Sequence, residues 1–321
     1  MKALNISVVI PVYNEELAIE QSLAAIAEQL KKTGKSYEIL CVDDGSRDKT
    51  LQILEKAAQK DGRIKPLPLA RNFGKESAMA AGLFEARGQA VLLLDADLQH
   101  PPTLIPRMVE LWDEGYDVVS AVKEARAKES LLYRAMTGVF NRLMGSAAGG
   151  SFRGASDFKL LDRQVIDALA SCPEKNRFFR GLVTWVGFRT AEIPFTVQER
   201  VAGTTKWSLV GLVRYSLRNL IAFSAVPLKL VAVMGFGVLV FSAGLAVQTL
   251  WRYLSGQALS GFTTVILLQI ILGGMVLSGI GVIALYVAEI YDEVKSRPVF
   301  LVRRPRNEAR ESHPGGADEN T

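Results

Sequence analysis

The stretch VLLLDADLQHPP, residues 91–102, decides the fold of this chain. Its four leading apolar residues predict a buried strand, and Pro101 with Pro102 predicts the start of a further element. Asp95 and Asp97 directly follow the strand, at the edge where open parallel sheets bind ligands. Two neighbouring carboxylates repel each other unless a cation lies between them, and hard oxygen ligands favour Mg²⁺ or Mn²⁺ shared with substrate phosphates. The alternative is a solvated acidic turn after a core strand.

The composition places the chain between soluble and membrane proteins. Of 321 residues, 49% are hydrophobic and the mean hydropathy is +0.17, which is too apolar for one ordinary soluble domain and too polar for a transporter with many spans. The net charge is +5, and basic residues near the apolar C-terminal part favour a membrane surface or phosphate ligands. The sequence contains no nucleic-acid-binding motif, so no nucleic-acid partner is expected.

The two cysteines, Cys41 and Cys172, predict no disulfide framework. Cys41 lies in an apolar run, which predicts a small core residue. The first residues enter a strand at once, so no signal peptide is expected. A reduced cytosolic setting fits these observations.

Apolar runs alternate with helical patterns in the first part of the chain, which predicts βαβ units and a parallel sheet. Residues 13–16 predict the start of the first helix, with Leu17 on its apolar face, and Asp48 is a predicted N-cap of the second. The absence of G-x-G-x-x-G after the first strand, and of G-x-x-x-x-G-K-[ST] anywhere, argues against a standard dinucleotide fold and a P-loop NTPase. The predicted strands are 6–12, 37–42, 64–69, 91–94 and 117–122.

Two segments carry cations that suit phosphate binding. Residues 123–142 are basic and residues 145–155 are rich in glycine, alanine and serine, a combination that fits a lid or an acceptor-phosphate site as well as a solvated helix face. A Gly-Thr loop between Arg200 and Lys206 fits either a wrapped phosphate or a solvated turn. Composition alone leaves both alternatives open.

Apolar segments dominate the chain after Lys206. Residues 209–221 place apolar side chains on one helical face, which predicts an interfacial amphipathic helix or a helix that docks a partner. Residues 230–251 and 262–288 contain no charged residue, and at about 1.5 Å per residue each run can cross a hydrocarbon core of roughly 30 Å. Basic residues flank the outer ends of this pair, so both termini are expected in the cytoplasm. The tail beyond Asn307 is expected to be disordered.

Six short motifs follow one another along the chain. They are Ile10–Glu15, Asp43–Ser46, Arg71–Lys75, Asp95–Pro102, Ser156–Leu160 and Thr205–Trp207. Together with the two apolar runs, they resemble family 2 glycosyltransferases, in the branch that loads a sugar onto a polyprenyl phosphate. The chain is more similar to the bacterial polyprenyl-phosphate glucosyltransferases than to the dolichol-phosphate mannose synthases. Residues 154–159 depart from the mannose synthase pattern, which leaves the donor sugar more open than the reaction class.

The resemblance implies an α/β fold. A GT-A-type, Rossmann-like domain with a mostly parallel sheet is expected, followed by an amphipathic interfacial helix and two transmembrane helices. The implied boundaries place the cytoplasmic catalytic domain at residues 1–206 and the interfacial helix at 207–226. Two transmembrane helices follow within residues 227–291, and residues 292–321 form a tail that is basic and then disordered.

The resemblance also implies roles for individual residues. The nucleotide pocket is expected to contain Pro11, Tyr13, Glu15, Asp43, Asp44 and Asp95. The metal, Mg²⁺ or Mn²⁺, is expected on Asp95, Asp97 and Gln99. The expected catalytic residues are Asp97, Asp157, Arg200 and Lys206, and the acceptor phosphate is assigned to Arg126 and Arg134.

The implied activity is the inverting transfer of a hexose from a nucleotide sugar to undecaprenyl phosphate or another polyprenyl phosphate, with UDP-glucose or a related UDP-sugar as the expected donor. The enzyme would be a metal-dependent hexosyltransferase at the cytoplasmic face of a bacterial inner membrane, in contact with the lipid bilayer and assembled as a homo-oligomer such as a tetramer. Because a phosphate monoester is already largely dianionic at neutral pH, Asp157 is expected to position groups rather than act as a general base.

Other classes of function stay open at this point. A hydroxyl-directed transferase that builds a polysaccharide usually has more spans and a Gln-x-x-Arg-Trp motif, whereas this chain has Lys206 and Trp207 without that motif. A non-enzymatic alternative is a membrane-tethered scaffold that binds nucleotide sugars, or a subunit of a lipid flippase. The presence of Asp95, Asp97 and Asp157 favours an enzyme over the non-enzymatic alternative.

Overall fold

The computed structural model describes residues 4–124, 154–172, 174, 178–196, 221, 226–255 and 261–303. These residues belong to two compact units. The sheet unit contains the described residues up to 196 together with 297–303, and the helical unit contains those from 221 to 296.

A seven-stranded sheet lies at the centre of the sheet unit, in the spatial order β3-β2-β1-β4-β6-β5-β7 within the described residues. The strands are β1 (Ile6–Val12), β2 (Tyr37–Asp43), β3 (Ile64–Pro68), β4 (Ala90–Leu93), β5 (Val118–Lys123), β6 (Ala155–Asp162) and β7 (Thr190–Phe195). β1 pairs in parallel with β2 and β4, β2 with β3, and β5 with β7, whereas β6 runs antiparallel to β4 and β5. The sheet is therefore mostly parallel, which confirms the predicted α/β class.

Helices in the sheet unit bury apolar side chains in its core. In the first helix, Ile19, Leu23, Ile26 and Leu30 recur at helical spacing and all four are buried. Burial of each such side chain contributes roughly 1.5–3 kcal/mol. The helices of this unit are α1 (Ile19–Lys32), α2 (Thr50–Lys60), α3 (Lys75–Glu85), α4 (Ile105–Asp113), α5 (Arg163–Ser171) and α6 (Phe179–Trp185).

The first helix begins later than the sequence predicted. Residues 13–16 precede it, because Asn14 adopts a left-handed backbone with φ 54° and the amide after it donates to the Thr50 hydroxyl at 2.9 Å. Leu17 consequently lies outside the apolar face of α1 and is 81% exposed. The N-cap of α2 is Lys49 rather than the predicted Asp48, although Asp48 accepts a hydrogen bond from the Thr50 amide at 3.0 Å.

Two strands, β6 and β7, were not predicted. β6 contains Ser156, Asp157 and Lys159 among its apolar residues, and these polar side chains conceal the strand pattern. The antiparallel register aligns Leu93 of β4 with Lys159 of β6. Two residues after Leu93 the chain reaches Asp95, and two residues before Lys159 stands Asp157. The topology therefore brings these two carboxylates to the same edge of the sheet.

The helical unit contains two long helices among its described residues, α7 (Val226–Leu254) and α8 (Phe262–Val294). Their segments Val226–Arg252 and Leu268–Val294, each of 27 residues, are long and apolar enough to cross a membrane. The two predicted spans therefore coincide with two apolar helices. The predicted amphipathic helix at 207–226 lies almost entirely outside the described residues.

Residues 298–303, here called the returning segment, pack on the sheet unit beside β3. The Ala70 amide donates to the Leu301 carbonyl at 2.8 Å, and Leu69 forms an antiparallel bridge with Val302. β3 is the last strand on this side of the described sheet. The described part of the predicted C-terminal tail therefore covers an edge of the sheet.

Candidate active site

Acidic side chains gather at one edge of the sheet. The parallel strands β1, β2 and β4 all end there, and the antiparallel strand β6 begins there. Such a carboxyl edge is where open α/β sheets bind their ligands. We call it the acidic edge, and its members are Asp43, Asp44, Asp95, Asp97 and Asp157.

Two cations hold Asp157 at this edge. Lys75 Nζ lies 2.7 Å from Asp157 Oδ2, and Arg180 donates from Nε to Oδ1 at 2.6 Å and from Nη2 to Oδ2 at 3.0 Å. Only 6% of the Asp157 side chain is exposed. Burial by itself would raise the pKa of Asp157, but Lys75 and Arg180 outweigh it and hold that pKa well below its usual range. Asp157 is therefore ionised throughout the neutral pH range.

Lys75 also contacts Asp95. Its Nζ lies 2.6 Å from Asp95 Oδ1, and 43% of the lysine side chain is exposed. Burial opposes the charged form, but Asp95 and Asp157 raise the pKa of Lys75 above its usual value. The first residue of α3 thus bridges the carboxylates at the ends of β4 and β6. Sequence reasoning placed Lys75 in a motif but assigned it no role.

Backbone hydrogen bonds fix the loop that leads into α3. Asp44 Oδ1 accepts from the Phe73 amide at 2.7 Å, and Oδ2 accepts from the Gly74 amide at 2.9 Å. Gly45 has φ 68°, and a Cβ at this position would lie 2.7 Å from the Arg71 carbonyl carbon. The loop after β2 and the loop before α3 therefore meet backbone to backbone, which only glycine permits here.

Most residues predicted for the nucleotide pocket lie at the ends of β1 and β2 or in the loops that follow them. Pro11 belongs to β1, and Tyr13 and Glu15 follow that strand. The amide after Tyr13 donates to Ser46 Oγ at 2.9 Å, and Asp43 Oδ1 accepts from the Ser46 amide at 3.2 Å. Burial raises the pKa of Asp43. The structure thus brings these residues together at the ends of β1 and β2, whereas Asp95, the remaining member of the predicted set, follows β4.

Asp97, Gln99 and His100 lie in the turn after β4. Asp97 Oδ1 accepts from the Gln99 amide at 3.1 Å, and Leu98 between them has a left-handed φ of 56°. His100 is 4% exposed. Its Nδ1 has no hydrogen-bond partner within the described chain and lies 3.7 Å from Asp95 Oδ2. Burial lowers the pKa of His100, so the ring is neutral at pH 7.

The donor set at Asp95 and Asp97 fits a divalent cation. Two carboxylates, with the amide of Gln99 two residues on, offer the hard oxygen donors that Mg²⁺ and Mn²⁺ prefer. In the part of the chain that the structure describes, no cluster of three or more His, Cys, Asp or Glu side chains forms a metal site. Two carboxylates suit a metal that takes its other ligands from substrate phosphates and water.

Three charged groups beside Asp157 were missed by sequence reasoning. Lys159 Nζ donates to Ser120 Oγ at 2.7 Å, and burial lowers the pKa of Lys159 to about 8. Glu76 accepts from the Phe179 amide at 3.1 Å, and burial raises the pKa of Glu76 to about 7. The third is Arg180. Lys159 and Arg180 each stand as a single cation within an apolar segment, and this is the sequence signal that could have identified them.

Four predicted site residues lie outside the described residues, namely Arg126, Arg134, Arg200 and Lys206. Their roles as cations for the acceptor phosphate and the donor diphosphate stay predictions. Within the described part, Lys75 and Arg180 are the cations that contact Asp157.

Comparisons with known proteins point to one family. Residues 7–180 match the model of Glycosyl transferase family 2. The chain is 38% identical over 302 residues to YkcC of Bacillus subtilis, an uncharacterized glycosyltransferase, and the match covers 93% of each chain. It is 34% identical over 306 residues to the SfII prophage-derived bactoprenol glucosyl transferase of Shigella flexneri, covering 94% of this chain and 98% of that one.

A solved structure shares the fold. Glucosyl-3-phosphoglycerate synthase from Mycobacterium tuberculosis, in complex with Mn²⁺, UDP and phosphoglyceric acid, superposes with a TM-score of 0.50 at 21% identity. The match covers 68% of this chain and 76% of that one. At this identity the likeness speaks for the fold alone, and it agrees with the predicted GT-A-type sheet domain.

Proposed function

Because this chain belongs to glycosyl transferase family 2, we propose that it transfers glucose from a nucleotide sugar to a polyprenyl phosphate. The observation that carries the proposal is the match to a bactoprenol glucosyl transferase over 94% of this chain, a length that takes in both apolar helices as well as the sheet unit. UDP-glucose is the donor we expect, and undecaprenyl phosphate the acceptor.

We assign the donor's nucleoside to the loops after β1 and β2. Tyr13, Glu15, Asp43 and Asp44 lie there, and carboxylates accept hydrogen bonds from a base N–H or from ribose hydroxyls. The amides that bind Asp44 fix its carboxylate before a ligand arrives. The pocket is therefore expected to be preorganised, which lowers the cost of ordering it on binding.

Asp95 and Asp97, with Gln99, are the residues we assign to Mg²⁺ or Mn²⁺. When bound, the metal supplies Lewis-acid stabilisation of negative charge on the leaving diphosphate. Arg200 and Lys206 are proposed to add positive charge over that diphosphate.

The acceptor provides the nucleophile. A phosphate monoester has its second pKa at about 6, so at neutral pH its oxygen attacks the anomeric carbon without first losing a proton. As the new carbon–oxygen bond forms, the bond to the nucleoside diphosphate breaks and the configuration inverts. We assign Arg126 and Arg134 to the acceptor phosphate.

Asp157 serves this reaction as a fixed anion. Because the pKa of Asp157 lies well below its usual range, owing to Lys75 and Arg180, the carboxylate cannot take up a proton near neutral pH. Its negative charge stabilises positive charge that develops at the anomeric centre, and it orients the two cations that it binds. A general-base role would need the opposite, a pKa near the working pH.

The two apolar helices support a reaction at a membrane. We propose that the sheet unit is the catalytic domain, within residues 1–206, and that it faces the cytoplasm together with both termini, since basic residues flank the outer ends of the apolar pair. A bacterial inner membrane fits a polyprenyl acceptor. Glycines in α8 allow close helix packing, which favours a homo-oligomer such as a tetramer.

The proposal is tested with the purified full chain in detergent, undecaprenyl phosphate, Mg²⁺ or Mn²⁺, and a panel of labelled nucleotide sugars. We expect label from UDP-glucose to enter the organic phase, and to stay in the aqueous phase with EDTA or in Asp97→Ala. Asp113→Ala, which removes a half-exposed carboxylate paired with Lys35, is the matched control and should transfer normally. Metal-dependent nucleotide binding without transfer from any donor would overturn the proposal in favour of a scaffold or a hydroxyl acceptor.

A further inference from the structure

Lys75 occupies an oxygen of a carboxylate assigned to the metal. Its Nζ lies 2.6 Å from Asp95 Oδ1 and 2.7 Å from Asp157 Oδ2, which are the distances of charge-assisted hydrogen bonds. The other oxygen of Asp95 faces His100 Nδ1 at 3.7 Å. Among the described lysines and arginines, Lys75 alone forms an ion pair with Asp95.

Asp157 keeps Lys75 in this place. The carboxylate is buried, and Arg180 holds both of its oxygens, so it cannot turn away from the lysine. The ammonium therefore stays near Asp95 even when Asp95 turns to another partner. A divalent cation that approaches Asp95 alone must displace one hydrogen bond and meets a fixed positive charge at short range, where like charges repel strongly.

We propose that Lys75 is a positioning residue that serves as an internal counter-ion for Asp95 and makes metal binding depend on the donor's diphosphate. The inference rests on the metal site proposed above. Without a nucleotide, Lys75 neutralises Asp95 and the carboxylate pair binds divalent cations weakly. With a nucleotide, the negative diphosphate offsets both the lysine and the metal, and Asp95 is released to the metal while Lys75 remains on Asp157.

This device has a kinetic consequence. Free Mg²⁺ or Mn²⁺ does not load the site ahead of the donor, so metal and nucleoside diphosphate enter and leave together. The order of binding follows from one side chain shared between two carboxylates.

The test measures Mn²⁺ binding to the full chain in detergent by electron paramagnetic resonance, with and without UDP. Lys75→Met removes the charge and keeps an unbranched side chain that is one atom shorter. Without UDP, we expect Lys75→Met to bind Mn²⁺ about tenfold or more tightly than the parent, and with UDP to differ from it by less than about threefold. A gain of affinity is not an effect that damage to the fold produces.

Two further variants complete the design. Lys75→Gln keeps hydrogen-bond donors for both carboxylates without the charge, so it takes the place of Lys75→Met if that variant unfolds. Lys35→Met removes the same charge from an ion pair with Asp113, at 2.8 Å on the protein surface, and should leave Mn²⁺ binding unchanged. In the parent protein, UDP should tighten Mn²⁺ binding by about a hundredfold, and UMP, which lacks the second phosphate, by far less.

Different results separate this inference from the proposed function. Equal Mn²⁺ affinity of Lys75→Met, or of Lys75→Gln in its place, and the parent without UDP overturns the counter-ion role of Lys75, as does equal coupling of Mn²⁺ to UDP and UMP in the parent. If the parent binds no Mn²⁺ even with UDP, or Asp97→Ala retains full affinity for it, the metal site itself is wrong and the inference falls with it.

Discussion

On the nucleoside side of the acidic edge, backbone amides hold Asp43 and Asp44, whereas on the transfer side the charged side chains of Lys75 and Arg180 hold Asp157. Burial raises the pKa of Asp44, but the two cations outweigh burial and lower the pKa of Asp157. Amide partners fix a shape that is insensitive to the charge of the ligand. On the transfer side, by contrast, the ion pairs among charged side chains respond when a charged ligand enters.

The two sides of the acidic edge therefore have different tasks. The nucleoside side recognises a part of the donor that does not change during transfer, and a preorganised pocket suits that task. The transfer side must accommodate the charge that moves to the leaving diphosphate, so its own charges are arranged in advance.

The largest expected effect comes from Asp157→Asn. Loss of the anion leaves Lys75 and Arg180 without their shared partner, and we expect transfer to fall by about a thousandfold. The pH–rate profile of the residual activity should keep the parent's acidic limb, because the carboxylate does not take up the proton. An acidic limb that is present in the parent and absent from Asp157→Asn would restore a general-base role for Asp157.

The next largest effect is on stability, and its pH dependence should differ between the two sides. The lowered pKa of Asp157 contributes stability above the unfolded-state pKa, and this contribution is lost as pH falls through the folded-state pKa. Asp157→Asn should therefore destabilise the chain near pH 7, because Lys75 and Arg180 lose the buried carboxylate that they share, and it should destabilise the chain less towards pH 3. Thermal unfolding of the full chain in detergent across this range measures it.

Asp43→Asn provides the matched contrast for that series. Burial raises the pKa of Asp43, so ionisation costs stability, and the cost appears as pH rises through the unfolded-state value towards the folded-state one. The difference in melting temperature between parent and Asp43→Asn should move with pH in the direction opposite to that for Asp157→Asn. Parallel trends would remove the distinction between the two sides.

Gly45→Ala tests the backbone contact between the loop after β2 and the loop before α3. A Cβ would meet the Arg71 carbonyl carbon at 2.7 Å, so we expect a loss of about 2 kcal/mol in stability and about tenfold in UDP affinity. Gly34→Ala is the control, because Gly34 has a similar φ of 66° with nothing within 4 Å of the added Cβ. It should lose stability from φ alone and retain UDP affinity. Equal UDP affinities in the two variants would contradict the contact between loops.

The smallest effect is expected where charges pair away from the edge. Lys35→Met breaks the surface ion pair with Asp113, and exposed pairs contribute about 1 kcal/mol or less. Its melting temperature should stay close to that of the parent and its transfer rate should be unchanged. A loss comparable with that of Asp157→Asn would mean that pairing at the acidic edge has no special weight.

Sequence patterns predicted the frame of the molecule well. Continuous apolar runs identify β1, β2 and β4, since buried parallel strands need apolar residues on both faces. The runs before and after residues 252–261 identify α7 and α8 in the same way. In each case the pattern depends on neighbours in the sequence, which a single chain displays directly.

Asp157 was predicted from the sequence, but the charged partners around it, among them Lys159 and Arg180, escaped prediction for a physical reason. Asp157 and Lys159 are buried in a strand because partners distant in sequence, Arg180 and Ser120 among them, satisfy their charge and hydrogen bonds. Such compensation appears only once the register of β6 against β4 and β5 is known. The start of α1 was wrong for a related reason, because hydroxyls from the second loop bind the amides of residues 14 and 15.

The returning segment bears on how the chain is made. An uncovered edge strand is a template for pairing with other chains, and β3 is covered by residues that the ribosome adds only after α8. During synthesis the edge of β3 therefore stays uncovered until both apolar helices have been produced. A fragment that ends at residue 207 should aggregate, and a peptide of residues 297–303 should suppress its light scattering. Insertion of the helices into the membrane would then precede the pairing of the returning segment with β3.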